Sequence, residues 1–279
     1  MRIPEELSLT QDFDRQYQRN QISVLRTVER NACGCDYGGT SWATRDEADR
    51  VGDLLDLRPG RRLLEVGAGS GWPALYLAGK TGCDLALVDL PFEGLRIAAQ
   101  RAVSDGLAGR CWIASANGAA LPFGGQQFDA ISHSDVLCCL DAKLEVLHDT
   151  RRVIRQGGAM VFTVISITPG RSSTEQARAI EFGPPFVDSA CDYATMLNRC
   201  GWHTSDRVDV TAQWVRTTRR YLREQEAHHK SLEVILGKDE FDSSLARMRA
   251  KIAAIDDGLL RRELYVAGAG GKYSSSPLI

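Results

Sequence analysis

From Leu63 onward, short apolar runs alternate with amphipathic stretches. The runs Arg62–Val66, Asp84–Asp89, Arg110–Ala114, Phe128–His133 and Ala159–Ser166 read as strands. Between them, Pro73–Lys80, Pro91–Asp105 and Lys143–Arg155 carry a helical pattern, with glycine near each end, at Gly79, Gly106 and Gly157-Gly158. This alternation predicts a parallel sheet with helices on both faces and right-handed crossovers. In such sheets, ligands bind at the carboxyl ends of the strands.

Beyond Ser166 the alternation loosens. The segment EFGPPFVDS leads into a helix near Cys191–Arg199, and Trp202–Thr211 reads as a sixth strand. A long charged helical stretch follows, Val215 to Ile255, and Glu263–Ala267 reads as a seventh strand. Residues 5–30 are polar and helical, and are expected to pack as a lid over the ligand edge.

Between the first strand and its helix lies Gly67-Ala68-Gly69-Ser70-Gly71. Glycine there allows positive φ and close approach of backbone to a ligand, and the following helix N-terminus offers N–H groups. A dinucleotide fingerprint, G-x-G-x-x-G, needs its third glycine at position 72, where this chain has Trp72. That weakens a nicotinamide oxidoreductase reading. Glu65 is placed to accept hydrogen bonds from the turn. Asp89, ending the second strand, is placed to accept both hydroxyls of a ribose. Asn117, beyond the third strand, is placed to meet an adenine edge.

Composition narrows the choice. The chain has 279 residues, 43% hydrophobic and 25% charged, with a net charge of -2. No basic excess points to nucleic acid, and no apolar run approaches the ~20 residues needed to span a bilayer. The N-terminus lacks the apolar core of a signal peptide, so a cytoplasmic location is expected, with the 8 cysteines reduced. Cys83, Cys111, Cys138 and Cys139 sit in apolar runs and read as core fillers. Cys33-Gly34-Cys35 has no second Cys/His pair at zinc-ligand spacing, so no metal is expected.

The motif Glu65-x-Gly67-x-Gly69-x-Gly71, with Asp89, Leu121-Pro122-Phe123, Phe128-Asp129-Ala130 and Arg152–Gly158, resembles class I S-adenosylmethionine-dependent methyltransferases. Tyr37-Gly38-Gly39, Thr44–Ala48 and the insertion between strands six and seven look like the small-molecule branch, of the sarcosine/dimethylglycine type. The resemblance implies a Rossmann-like α/β fold with a seven-stranded, mostly parallel sheet. It divides the chain into an N-terminal helical lid (1–45), an S-adenosylmethionine-binding core (46–170), a C-terminal part with a substrate-capping helical insertion (171–267) and a flexible tail (268–279). It implies a cofactor site formed by Glu65, Gly67, Ala68, Gly69, Gly71, Trp72, Asp89, Leu90, Asn117, Gly118, His133 and Ser134. The family usually has Asp where this chain has Asn117.

The implied activity is methyl transfer to N or O of a small organic acceptor, by a monomer or homodimer, with neither nucleic acid nor membrane as partner. A non-catalytic S-adenosylmethionine-binding protein is the other alternative. His133 and Tyr37 are the catalytic candidates: His133 as a base in the loop after the fourth strand, Tyr37 as an aromatic face toward the sulfonium. Trp42 reads as core, Asp135 as a further base candidate in that loop or equally a helix cap, and Phe182, Phe186 and Tyr193 as substrate-pocket walls. Arg216, Arg220 and Arg223 share a helix face with Arg219 beside it, which reads as solvated. His228-His229 make a poor metal pair.

Overall fold

Two helices, α1 (Pro4–Asn20) and α2 (Ser23–Cys33), open the part of the chain covered by the computed structural model, which describes residues 4–270. A third, α3 (Arg45–Leu54), starts on Thr44, whose hydroxyl accepts the Glu47 N–H at 3.2 Å. The β/α alternation then begins: β1 (Arg62–Val66), α4 (Ala74–Thr81), β2 (Asp84–Asp89), α5 (Phe92–Ser104), β3 (Cys111–Ser115), β4 (Phe128–Ser134), α6 (Lys143–Val153) and β5 (Ile154–Ile167). The remainder is α7 (Ser173–Phe182), α8 (Tyr193–Arg199), β6 (His203–Asp209), α9 (Thr211–Ala227), α10 (His229–Leu236), α11 (Lys238–Asp256) and β7 (Leu260–Gly268).

The sheet order is β3-β2-β1-β4-β5-β7-β6. It is mixed: β7 runs antiparallel between β5 and β6, and the other pairings are parallel. Both faces of the central strands are covered, which is why they read as continuous apolar runs. Leu63 packs with Leu85, Leu87 and Val161 on one face, while Leu64 and Val66 pack with Ile131 and Met160 on the other. Burying each such side chain contributes about 1.5–3 kcal/mol. The chain winds outward from β1 to β3, then crosses back to β4 on the other side of β1. The crevice between the ends of β1 and β4 is therefore the topological switch point.

Three elements differ from expectation. The stretch read as one helix from Val215 to Ile255 is three helices, interrupted at His228 and at Gly237, whose φ of 80° leaves helical geometry. Strand β5 begins at Ile154, because Ile154 already pairs with Phe128 before the chain bends at Gly157. Helix α7 is an additional element in the stretch after Ser166, opened by a capping box between Ser172 and Glu175. The expected tail, 268–279, lies outside the described residues from 271 onward, and Gly268 itself pairs with Ala159 and His203.

Candidate active site

A cavity of about 410 Å³ opens at the switch point. Each strand end supplies part of its wall: Gly67–Ser70 after β1, Asp89–Pro91 after β2, Asn117 after β3 and Ser134–Val136 after β4. Gly67 and Gly69 have φ of 70° and 50°, in the left-handed region. A Cβ on Gly67 would collide with Val136, and one on Gly69 with the Tyr17 ring hydroxyl.

Asp89 fastens this turn. Its Oδ2 accepts the Gly69 N–H at 2.7 Å and its Oδ1 the Leu90 N–H at 2.7 Å. Burial pushes its carboxyl up to about 6, against the pull of those two N–H groups. Ser70 Oγ is buried in the wall with no partner among the described residues. An unpartnered buried hydroxyl and two close-approach glycines fit a ligand with polar groups at backbone distance, as an amino acid joined to adenosine has. Asn117 lines the cavity with its amide oxygen accepting the Ala119 N–H at 2.9 Å.

Of the other residues expected here, Ala68, Trp72, Leu90 and Ser134 line the cavity, whereas Glu65, Gly71 and Gly118 lie behind it. Trp72 spends its indole N–H on Ala43 O at 2.9 Å. Glu65 is buried and accepts the Ser132 hydroxyl, and desolvation raises it to about 8, so it is protonated at neutral pH.

Neither catalytic candidate lines the cavity. His133 is buried outside the cavity, stacked on Phe162 with ring centroids 4.5 Å apart. Neither of its ring nitrogens has a partner among the described residues. Desolvation holds it down at about 3, which keeps the ring neutral. Tyr37 is buried against Trp72, centroids 5.2 Å apart, with the Arg101 guanidinium 3.6 Å over its ring. It anchors the segment it belongs to and does not reach the cavity.

Three smaller expectations change as well. Trp42 lines the cavity while packing edge-on to Tyr221. Asp135 caps no helix: its oxygens receive Arg262 Nε at 2.9 and 3.0 Å, and Arg262, fully buried, also pairs with Glu47 at 2.7 Å. Gly183, Pro184 and Pro185 line the wall, whereas Phe182, Phe186 and Tyr193 do not.

Several wall residues carry no sequence signal of their own. Helix α1 contributes Glu6, Leu9, Phe13 and Tyr17, docked by Asp14 Oδ1 accepting the Glu93 N–H at 2.8 Å. Helix α11 contributes Lys251, with Nζ 5.1 Å from the Trp42 ring centroid. No carboxylate of the described residues pairs with Lys251, and burial lowers its pKa from the ordinary lysine value. The cavity lining thus combines polar groups at Asp89 and Ser70, the apolar side chains of Leu9, Trp42, Val136, Leu140 and Ile165, and one amine.

A different cluster braces the wall. Glu29, Cys33 and Cys35 are buried with ligand atoms within 4.8 Å of one another. The Glu29 oxygens are engaged by the N–H groups of Gly38 at 2.6 Å and Gly39 at 3.0 Å, and so hold the strip leading to Thr40 and Trp42.

Residues 64–162 match the family model described as a methyltransferase domain. Over 77% of its length, the chain is 25% identical to a phosphoethanolamine N-methyltransferase of Triticum aestivum, of which it spans only 42%. A 27-O-demethylrifamycin SV methyltransferase of Amycolatopsis mediterranei is 26% identical, over 75% of this chain and 78% of its own length. Among solved structures, phosphoethanolamine N-methyltransferase 2 of Haemonchus contortus, in complex with phosphomonomethylethanolamine and S-adenosylhomocysteine, has the same fold. Its TM-score is 0.75 over 92% of this chain and 59% of that one, at 16% identity.

Proposed function

We propose that this chain, whose residues 64–162 match a methyltransferase domain, moves the methyl group of S-adenosylmethionine to nitrogen or oxygen of a small organic acceptor. One observation carries the reading: a single cavity is lined both by the Asp89–Gly69 cradle and by the apolar side chains of Leu9, Trp42, Leu140 and Ile165. In this assignment Gly67, Gly69 and Ser70 receive the methionine end of the donor, Asp89 its ribose and Asn117 its adenine. The bound donor supplies an activated methyl group, because its sulfur leaves as a neutral thioether. The protein's part is to hold the nucleophile in line and exclude water, and such orientation is worth ~7–11 kcal/mol of barrier.

The acceptor compartment supports a finer reading. Asp135 is tied to Arg262 and His133 is outside the wall, so neither serves as a base. A neutral amine needs no base at the chemical step. Lys251, a cation without a carboxylate partner, suits an acceptor that carries an anionic group. The acceptor favoured by these residues is an amine with an apolar body and a carboxylate or phosphate, as the names of the phosphoethanolamine relatives also suggest. The oxidoreductase alternative is set aside: Trp72 fills the fingerprint position, and the matched domain is a methyltransferase.

Calorimetric titration with S-adenosylhomocysteine, and with NADH in parallel, tests the donor. Micromolar binding of the first alone is expected, and binding of NADH alone would overturn the reading. Transfer of labelled methyl from S-adenosylmethionine to a panel of amines and phenols then tests the acceptor class.

A further inference from the structure

The arginine face of α9 is left unused by the active site. Arg216 and Arg220 line a second cavity, of about 630 Å³, formed where α9 meets the last turn of α2 and the first turns of α3. Arg30, Arg45 and Arg50 converge on it from those two helices. Two of these have other engagements: Arg30 pairs with Asp36 at 2.7 Å, and Arg45 lies 5.2 Å over the Tyr76 ring. Arg50, Arg216 and Arg220 form no ion pair among the described residues. Arg50 Nε is buried without a hydrogen-bond partner among them.

The wall also holds two acids, Asp46 and Glu47. Both Glu47 oxygens are taken by Arg262, at 2.7 Å each. One carboxylate is thus left to face several guanidinium groups. A solvated arginine face would spread its heads into bulk water. Here the heads gather around a concavity, and one donor is already dry and unpaired. The first turn of α3, which carries Thr44 and Arg45, adds the positive end of a helix dipole.

We infer that this cavity binds a small phosphorylated anion, separately from the cofactor cavity. Guanidinium forks match phosphate oxygens bidentately, and several around one hollow recognise a multiply charged group better than a single carboxylate. The inference goes beyond methyl transfer and does not depend on it.

The test is calorimetric titration of the full chain with inorganic pyrophosphate at low ionic strength, with and without saturating S-adenosylhomocysteine. One saturable site is expected, unaffected by S-adenosylhomocysteine and weakened roughly tenfold or more in Arg216→Gln/Arg220→Gln. Those two side chains are exposed, and an unchanged melting temperature establishes that the variant folds. Arg50→Gln is the second variant, with the same expected loss. The proposal is overturned by the absence of saturable binding, by equal binding in folded variants, or by competition from S-adenosylhomocysteine, which would put pyrophosphate in the active site. Failure of the methyl-donor assignment would show separately, in the S-adenosylhomocysteine titration alone.

Discussion

Asp89 Oδ2 and the Gly69 N–H are joined by a 2.7 Å hydrogen bond, so the acid ending β2 and the turn following β1 form one unit. Removing the carboxylate removes a clamp on the turn and, in the proposed assignment, the charged acceptor for the donor's hydroxyls. Asp89→Ala is expected to weaken S-adenosylhomocysteine binding by about 1.5–3 kcal/mol, roughly 10- to 150-fold in Kd. Calorimetry on a variant with a normal melting profile checks this, and unchanged affinity would sink the assignment.

The same carboxylate gives the binding a pH dependence. Burial raises Asp89 to about 6 in the free protein. Hydroxyl donors favour the ionised form, so binding below that value must first remove a proton. Affinity for S-adenosylhomocysteine should level off above about pH 7 and fall as pH drops through 6, by at most about tenfold per unit. Asp89→Asn should bind weakly with no such slope. Titrations from pH 5 to 8 decide the matter.

Glu65 predicts a stability effect of opposite use. Its carboxyl is raised to about 8 by burial, well above its value in an unfolded chain. The folded state therefore holds a proton that the unfolded state has released, and the parent loses stability as pH rises from about 4.5 to about 8. Glu65→Gln keeps the shape of the neutral acid and can still accept the Ser132 hydroxyl. Its melting temperature relative to the parent should climb across that window and then plateau. A constant offset would mean that Glu65 is ionised in the native protein.

How much of this was legible in the sequence follows from the range of the physics involved. The β/α order and the glycine turn were readable because each is fixed by neighbours in the chain: apolar runs buried on both faces, and left-handed backbone at Gly67 and Gly69. Asp89 was readable because a strand end fixes its place. The position of His133 away from the cavity was foreshadowed by strand parity. His133 alternates with Ser132, which faces Glu65, and is in register with Phe162 inside the core. Tyr17 and Lys251 were invisible because helices remote in sequence carry them into the wall, and only tertiary packing brings α1 and α11 there. The breaks in the long helix at His228 and Gly237 were masked by charged residues with good helix propensity on both sides.

The placement of His133 outside the cavity is itself testable. Its two ring nitrogens are buried without a partner among the described residues, so an apolar side chain of similar size loses no hydrogen bond there. His133→Leu should fold, with a melting temperature near or above that of the parent, and transfer methyl within about twofold of the parental rate. A loss of kcat by the ~10²–10⁴-fold typical of a missing general base would restore His133 to the mechanism.

Lys251 gives the sharpest view of the acceptor. Its amine sits in the cavity wall over Trp42 with no carboxylate partner among the described residues, while burial disfavours its charge. An anionic acceptor group would supply the missing partner, and a charge-assisted contact of this kind is worth about 1.5–3 kcal/mol. Lys251→Met preserves the length and apolar stem of the side chain but deletes the charge. For an acceptor bearing a carboxylate or phosphate, KM should rise roughly tenfold or more with S-adenosylhomocysteine affinity unchanged. For an uncharged amine of the same shape, KM should stay level or fall, because a buried unpaired cation has been removed. Steady-state kinetics on such a matched pair of acceptors separates recognition from chemistry: equal losses in kcat for both would make Lys251 a proton acceptor instead of an anchor.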